Sequence, residues 1–427
     1  MYGTRMITIV ASRLNQIERG IGMSTEKPLS GYKVVELSTF MAAPSCGRLL
    51  ADWGAEVIKV ETPGGDAFRY FGPSMYMKAT EEENPAFEVL NTRKSSVVID
   101  LKTTEGQKIF HELLSTADVF LTNNRTEALL KLKLDYDSLK AKYPGLIFAW
   151  VTGFGEKGPD VNQPGYDVVA YWGRTGYLAD LSQPGAYPMT SPAGAGDNTV
   201  GMSLFAGICA ALLRRSRTGK GEKISVSLYG AAIWFAGAII TSVQERYGNT
   251  YPKKKGMINP LARAYRCQDG EWIMLSVLEY DRYWIPFCKA VGREDIVNDE
   301  RFNKRDQMMK HKDVLGEIME ATFLTKTLNE WVAILREYDI VHDKLRHFKD
   351  VLTDEQAWAN DYLEKFTFAN GEQAILPCTP IKAAEEGPLP YGKAPLLGEH
   401  TKDVLLQLGY TGSAIDELCS KKVVVAR

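Results

Sequence analysis

The sequence lacks most of the features that would assign it to a specialised class of protein. Only six of its 427 residues are cysteine, and no two of them are spaced as C-x-x-C, so neither a zinc site nor a redox pair is indicated. Scattered cysteines favour the reducing cytoplasm as its location. The formal net charge is −2, which gives no overall attraction to nucleic acid or to an anionic membrane. The overall amino-acid composition is that of an ordinary globular enzyme.

Long hydrophobic runs and nucleotide-binding signatures are missing as well. The longest apolar run, Ala231–Ile240, is shorter than the roughly 20 residues of a membrane span, and we interpret it as a buried helix or strand. No G-x-G-x-x-G follows the first expected strand, which removes most support for a dinucleotide cofactor, and no G-x-x-x-x-G-K-[ST] occurs. Without G-x-S-x-G or H-E-x-x-H, serine and zinc hydrolases are not indicated either. We expect no bound metal.

Alternating strand and helix patterns are present and predict an α/β fold. Strands are expected at Lys33–Ser38, Glu56–Glu61, Ser96–Asp100, Asp118–Thr122 and Leu146–Val151. Helices are expected at Cys46–Trp53, capped by Ser45 and ended by Gly54, and at Glu105–Ala117. Strand, helix and strand in close succession predict right-handed crossovers, and hence a Rossmann-like domain with a parallel sheet.

The chain divides by composition into three parts. Residues 1–22 hold three arginines and one apolar stretch that is too short for a secretory signal, and we expect an extension with no role in the fold. Residues 23–230 and 345–427 are expected to form the large Rossmann-like domain. Residues 231–344, which include a linker of lysines, Gly256 and Pro260, are expected to form a smaller α+β domain.

The segment Pro164-Gly165-Tyr166-Asp167 is the strongest candidate for chemistry. It places one carboxylate after the polar, glycine-rich loop Thr152–Pro159 and before the apolar Val168–Ala170. A partly desolvated carboxylate at the mouth of a pocket can act as a nucleophile. An aspartate at this spacing is also a good helix N-cap, so both interpretations stay open at this point.

Further motifs, in the same order, resemble the class III CoA-transferases over nearly the whole chain from about Pro28. The shared stretches are Pro28–Leu37, Pro44–Glu61, Asn91–Lys94, Asp100–Lys102, Gly194–Asp197, Arg217–Gly221 and Ala394–His400, and Pro164–Asp167 falls at the family's catalytic aspartate. Thr122–Thr126, Gly155–Asp160 and Asp354–Leu363 are similar to one branch, the 2-hydroxyacyl-CoA transferases of amino-acid-fermenting anaerobes. That branch acts on (R)-2-hydroxyisocaproate, in leucine degradation, or on aryl-lactates such as phenyllactate.

The resemblance implies covalent catalysis by Asp167. Its carboxylate would attack the thioester of an acyl-CoA, forming a mixed acyl-aspartyl anhydride and then an aspartyl-CoA thioester. The oxyanions need backbone N–H donors, for which Gly153, Gly155 and the loop Gly256–Asn259 are candidates, although these glycines also suit ordinary turns. CoA thioesters would then be substrates, and no cofactor would be permanently bound.

The resemblance also implies where CoA and the acyl group bind. Thr62 and Ile99 would lie near the adenine, and Lys102, Asn123, Arg125 and Lys131 near the phosphates. Asn124 and Lys131 depart from the family, which often has an aromatic residue and an arginine at these two positions. Met41, where some members carry glutamine, and the aromatic Tyr166 suit a hydrophobic acyl group or pack in the core.

Three alternatives stand beside transfer to (R)-2-hydroxyisocaproate. The first is a phenyllactate CoA-transferase. The second is an acyl-CoA racemase of the same fold, in which a histidine precedes the aspartate. Here Tyr166 stands in place of that histidine, and an unperturbed tyrosine, with a pKa of about 10, is a poor base at neutral pH. Asp197, however, matches the second acid of the racemases. The third is a non-catalytic CoA-binding protein, which would not need Asp167.

The resemblance to the class III CoA-transferases also implies an interlocked homodimer.

Overall fold

The computed structural model describes residues 27–254 and 258–427 of the chain. The extension expected at residues 1–22 lies outside the described residues. The same holds for Lys255 and Gly256, and with them part of the expected linker and of the Gly256–Asn259 loop.

Seven strands form one large sheet. The strands in chain order are β1 (Lys33–Leu37), β2 (Glu56–Glu61), β3 (Ser95–Ile99), β4 (Val119–Thr122), β5 (Ile147–Thr152), β6 (Lys223–Ser227), β7 (Ala264–Arg266), β8 (Trp272–Leu275), β9 (His342–Lys344), β10 (Leu363–Thr367), β11 (Gln373–Pro377) and β12 (Val424–Val425). The large sheet has the order β12-β3-β2-β1-β4-β5-β6, and β1 to β6 pair in parallel. Only β12 is antiparallel, at the β3 edge. The predicted α/β fold with a large parallel sheet is confirmed.

Helices connect these strands. They are α1 (Ala42–Asp52), α2 (Pro85–Asn91), α3 (Thr104–Ser115), α4 (Thr126–Leu132), α5 (Tyr136–Lys140), α6 (Tyr177–Asp180), α7 (Ala195–Thr218), α8 (Leu228–Phe235), α9 (Gly237–Ser242), α10 (Tyr280–Ala290), α11 (Arg305–Lys310), α12 (Lys312–Phe323), α13 (Leu328–Glu337), α14 (Phe348–Val351), α15 (Glu355–Ala359), α16 (Thr401–Gln407) and α17 (Gly412–Ser420). A π-helical turn spans Asp167–Gly173.

Helix α1 begins earlier than the sequence predicts. Ser45 was expected to cap a helix starting at Cys46, but the helix starts at Ala42 and contains Pro44 in its first turn. Proline is tolerated there because the first N–H groups of a helix have no partner inside it. Ser45 instead donates its hydroxyl to the carbonyl of Ala42 at 2.9 Å. The predicted end is confirmed, since Gly54 follows the helix with a φ of +97°.

The described chain forms two compact units. The first combines the chain up to Tyr171 with Pro192–Phe235 and Asp361–Arg427, and it contains the large sheet. The second combines Trp172–Ser191 with Ala236–Asn360 and contains the antiparallel sheet β7-β8-β9. The domain boundaries expected near residues 230 and 345 remain a prediction.

The apolar run Ala231–Ile240 is only partly buried. It forms the end of α8 and the start of α9, and Trp234 and Phe235 are 81% and 56% exposed. The run was expected to be a buried helix or strand; it is helical, and of its residues Ala231, Ala232 and Ala236 are buried. Helix α7, by contrast, is long and apolar enough to cross a membrane by length and composition. A core helix of a soluble protein has the same properties, and α7 packs against α1.

Candidate active site

The carboxyl ends of β1 to β5 meet at one edge of the large sheet. Because the five strands are parallel, the segments that follow them leave the sheet at the same edge. Ligands of open α/β sheets bind outside this edge. Met41, Thr62, Lys102, Asn123 and Asn124 all lie in these segments. The sheet therefore brings most of the residues singled out from the sequence to one edge.

Asp167 begins the π-helical turn and is 5% exposed. Its Oδ2 accepts a hydrogen bond of 3.0 Å from the backbone N–H of Gly194, the N-cap residue of α7. The φ of Gly194 is +74°, a conformation that glycine adopts without strain. The start of a helix carries a partial positive charge, which stabilises a nearby carboxylate. The carboxylate of Asp167, the first residue of its own turn, thus binds the start of another helix.

Two pairs of close contacts fix the position of this carboxylate. A Cβ at Gly196 would lie 2.1 Å from Asp167 Oδ1 and 2.6 Å from Cγ of Tyr171, so only glycine fits there. A Cβ at Gly153 would lie 2.9 Å from the Cα of Gly165. The loop after β5 and the segment that carries Asp167 therefore cross with their backbones in contact, which requires glycine on both.

A second carboxylate lies close to the first. Asp197 is the third residue of α7, after Ala195 and Gly196, and its position is half-buried. Burial, together with the negative charge of Asp167, raises the pKa of Asp197 to about 7. Asp197 therefore retains part of a proton at neutral pH.

Apolar side chains that follow β1 contact two neighbours of Asp167, Gly194 and Tyr166. Met41 packs against Gly194, where an added Cβ would lie 2.2 Å from the methionine Cε. The ring of Phe40 meets the ring of Tyr166 edge-on, with 5.4 Å between the centroids. Tyr166 is 57% exposed, so its ring does not pack in the core of the described chain. Met41 and Tyr166, both expected at the acyl group, thus lie beside residues that contact or adjoin Asp167.

The residues expected to bind CoA differ in exposure. Thr62, Lys102, Arg125 and Lys131 are exposed at the strand ends or on α4, while Asn123 and Asn124 are half-buried. Ile99 has no exposed surface and packs in the core, so its side chain would reach a ligand only after a movement of that core. These assignments remain predictions.

The expected oxyanion donors are partly engaged within the protein. The N–H of Gly155 donates to the hydroxyl of Thr152 at 3.2 Å. Within residues 27–254 and 258–427, no group of three or more histidine, cysteine, aspartate or glutamate side chains could hold a metal ion.

Sequence reasoning missed the contribution of Gly194 and Gly196. The motif Gly194–Asp197 was noticed only as a stretch shared with the family and as the match to a second acid. The signal was available, because two glycines at the start of a long helix indicate a close approach by another group. It could not reveal that this group is Asp167, which is separated from Gly194 by 26 intervening residues.

Comparisons with known proteins show the family of this chain. The family model described as CoA-transferase family III matches residues 29–401. The chain belongs to this family of CoA-transferases, and its fold is similar to that of solved structures. It is 45% identical over 397 residues to (R)-2-hydroxy-4-methylpentanoate CoA-transferase of Clostridioides difficile, covering 93% of this chain and 99% of the relative. It is 42% identical over 402 residues to cinnamoyl-CoA:phenyllactate CoA-transferase of Clostridium sporogenes, covering 93% and 97%.

Solved structures of the same architecture are also similar. A crystal structure of a mutant of the Mycobacterium tuberculosis protein Rv3272 superposes with a TM-score of 0.79 at 29% identity, covering 89% of this chain and 98% of the other. A CAIB/BAIF family protein from Brucella suis gives a TM-score of 0.75 at 28% identity, covering 90% and 100%.

Proposed function

We propose that this enzyme moves CoA from an acyl-CoA donor to a 2-hydroxy acid, with (R)-2-hydroxy-4-methylpentanoate, also called (R)-2-hydroxyisocaproate, as the leading acceptor. The observation that carries the proposal is the buried carboxylate of Asp167, held by the N–H of Gly194 at the start of α7. The relative of that name, 45% identical over almost its whole length, supports the choice of acceptor and a place in leucine degradation.

The reaction is proposed to run as two exchanges on Asp167. A carboxylate oxygen of Asp167 attacks the carbonyl carbon of the donor thioester. The C–S bond breaks, the CoA thiolate departs, and a mixed anhydride between the donor acid and Asp167 is formed. The thiolate then attacks the aspartyl carbonyl, which releases the donor acid as its carboxylate and leaves an aspartyl-CoA thioester. The hydroxy acid carboxylate repeats these steps in reverse, so that its own CoA thioester departs and Asp167 is restored. No net proton is consumed, and each step is easier than a direct transfer.

The segments at the strand ends are proposed to bind CoA. Thr62 and Ile99 would lie near the adenine, and exposed cations would bind the phosphates by charge. The residues proposed for the phosphates are Lys102, Asn123, Arg125 and Lys131, and Asn124 is proposed to contact CoA beside them. The enzyme would hold CoA only as a substrate and would act in the cytoplasm.

The acyl group is proposed to contact Met41 and Tyr166. Both side chains are apolar over most of their surface, which suits the branched chain of 2-hydroxy-4-methylpentanoate. Phenyllactate is the second candidate acceptor, supported by the phenyllactate CoA-transferase at 42% identity and by the aromatic contact between Phe40 and Tyr166. An aromatic acceptor ring would add to this edge-on arrangement.

Racemase chemistry is the competing activity of the same site. It requires a base beside the α-carbon of an acyl-CoA, and the position before Asp167 holds tyrosine rather than histidine. Asp197 remains as the only match to a racemase acid found in the sequence, which is why proton exchange has to be measured together with transfer.

The test combines acceptor kinetics with trapping of the intermediate. The enzyme is given 4-methylpentanoyl-CoA or cinnamoyl-CoA with each hydroxy acid, and the new CoA thioester is quantified. In parallel, hydroxylamine is added with a donor, and the intact mass and the modified peptide are determined. We expect an adduct on Asp167 and transfer to the branched acid, both lost in Asp167→Asn, which keeps the shape but not the nucleophile. An unmodified wild type that exchanges the α-proton with solvent would replace the proposal by the racemase.

A further inference from the structure

The segment Ser38–Met41, between β1 and α1, is held in place by side chains from two other strand ends. The Nζ of Lys59 on β2 donates to the carbonyl of Ser38 at 3.0 Å. Oδ1 of Asp66, after β2, accepts from the N–H of Phe40 at 3.1 Å. The side chain of Asn123, after β4, accepts from the N–H of Thr39 at 3.1 Å and donates to its carbonyl at 2.7 Å.

Lys59 and Asp66 belong to a fully buried ionic network. Lys59 Nζ lies 3.0 Å from Glu36 Oε1 and 2.9 Å from Asp66 Oδ2, and Lys94 Nζ lies 2.8 Å from Glu36 Oε2. None of the four side chains has exposed surface. Burial opposes the charge of Glu36, but Lys94 and Lys59 outweigh it and hold its pKa below the ordinary value.

Removing these charged groups from water costs free energy, and apolar residues of the same volume often give equal or greater stability. Its two positive and two negative charges balance, and two of its members bind the backbone of Ser38–Met41. The backbone of that segment also needs restraint, because Phe40 has a φ of +62°, a conformation that side chains other than glycine rarely adopt.

The segment leads directly to the proposed nucleophile. Phe40 contacts the ring of Tyr166, the residue before Asp167. Met41 packs against Gly194, whose N–H binds the Asp167 carboxylate. A shift of Ser38–Met41 would therefore move both neighbours of Asp167, and small displacements of reacting groups cost large factors in rate.

We propose that Lys59 and Asp66 are positioning residues of the transferase, which hold Ser38–Met41 so that Met41 and Phe40 align Gly194, Tyr166 and the Asp167 carboxylate. The inference rests on the proposed function for its kinetic part only. The buried ionic network then aligns the reacting groups in addition to any stability that it gives the sheet.

The first variant is Asp66→Asn, with Asp52→Asn as its matched control. Asp52 is a buried carboxylate as well, paired with Arg48 at 2.7 Å on α1, and it makes no side-chain bond to Ser38–Met41. We expect Asp66→Asn to lower kcat by about 10- to 100-fold with a smaller change in KM for the acyl-CoA. Asp52→Asn is expected to leave kcat within about twofold at a similar loss of thermal stability.

The second variant guards against a failure to fold. Lys59→Met combined with Asp66→Leu removes one charge of each sign, so Lys94 and Glu36 stay balanced, and removes both bonds to the segment. We expect a folded protein with a kcat lowered at least as far as in Asp66→Asn. A folded double variant that keeps its kcat within twofold would overturn the proposal, and so would equal losses of kcat in Asp66→Asn and Asp52→Asn.

Hydrogen exchange separates this inference from the proposed function. Backbone amides of residues 38–41 should exchange at least about tenfold faster in the double variant Lys59→Met/Asp66→Leu than in wild type, and at the wild-type rate in Asp52→Asn, with no substrate present. A wild type without transferase activity would contradict the proposed function and leave this result to decide the inference. Unchanged exchange in the double variant would contradict the inference even if the transferase is active.

Discussion

At the scale of single residues, the site depends on the absence of a side chain at Gly196. A Cβ there would lie 2.1 Å from Asp167 Oδ1, so Gly196→Ala must displace the carboxylate or the start of α7. We expect kcat/KM to fall by about 100-fold, in proportion to the loss of alignment. Steady-state transfer assays, with unfolding temperatures measured on the same samples, check this prediction.

Gly412→Ala is the control for this change. Gly412 also stands in the first turn of a helix, α17, and a Cβ there would meet no atom within 4 Å. Its activity should equal that of wild type. Equal activity in Gly196→Ala as well would mean that the carboxylate does not need the position observed here.

Asp197 makes stability depend on pH. Its pKa is raised to about 7 in the folded protein by burial and by Asp167, against 3.8 for the ordinary group. The folded state therefore binds more protons than the unfolded state between these values, and stability falls as pH rises through that window. Asp197→Asn removes the effect. The free energy of unfolding of the variant relative to wild type should rise from about pH 4 to about pH 7, by at most ~1.4 kcal/mol per pH unit, and then level off.

Urea unfolding of both proteins across this pH range measures the difference. Because the charge of Asp167 contributes to the raised pKa of Asp197, Asp167→Asn should lower the upper end of this pH window without abolishing the window, since burial is the larger cause. A difference between wild type and Asp197→Asn that does not change with pH would contradict the assigned pKa.

At the scale of elements, the two ends of β5 should respond differently to the same substitution. Gly153 follows the strand and crosses Gly165, where an added Cβ would lie 2.9 Å from a backbone Cα. Gly145 precedes the strand, and a Cβ there would be 3.8 Å from the carbonyl of Gly219, an ordinary contact. Gly153→Ala should lower kcat at least about tenfold by moving the segment that carries Asp167, and Gly145→Ala should leave it within about twofold. Comparable kcat values for the two variants would show that the crossing does not position Asp167.

The elements themselves were largely predictable from the sequence, and the contacts between them were not. Strands such as Glu56–Glu61 have a strong apolar pattern, so their positions are predicted to within a residue. The start of α1 was wrong because proline marks a first helical turn as readily as a break. The buried pairing of Lys59 with Glu36 and Asp66 joins three separate stretches of chain, and no local pattern encodes such a contact.

The candidate site shows the same division. Asp167, Met41 and Tyr166 were identified from one segment and from family resemblance. The fold was needed to find two further contacts. The N–H of Gly194 binds Asp167, and both ends of the Asn123 amide bind the backbone of Thr39. The sequence marks residues that can react, whereas the geometry that makes one of them reactive depends on crossings between distant segments.

At the scale of the whole molecule, an exposed apolar surface argues for association with a second copy. Ile233, Trp234 and Phe235 at the end of α8 are consecutive large apolar residues, and Trp234 is 81% exposed. Contiguous apolar residues of this kind mark contact surfaces in soluble proteins. We propose that they are covered in a homodimer, which the family resemblance implies to be interlocked.

Light scattering coupled to size exclusion tests the homodimer. The wild type should have about twice the chain mass of 47.6 kDa over a hundredfold range of concentration. Trp234→Glu should shift the mass toward that of one chain, because a buried charge at a contact surface opposes association. Tyr76→Ser removes another fully exposed aromatic ring, outside α8, and should leave the mass unchanged. A wild type that elutes as a monomer would contradict the proposed homodimer.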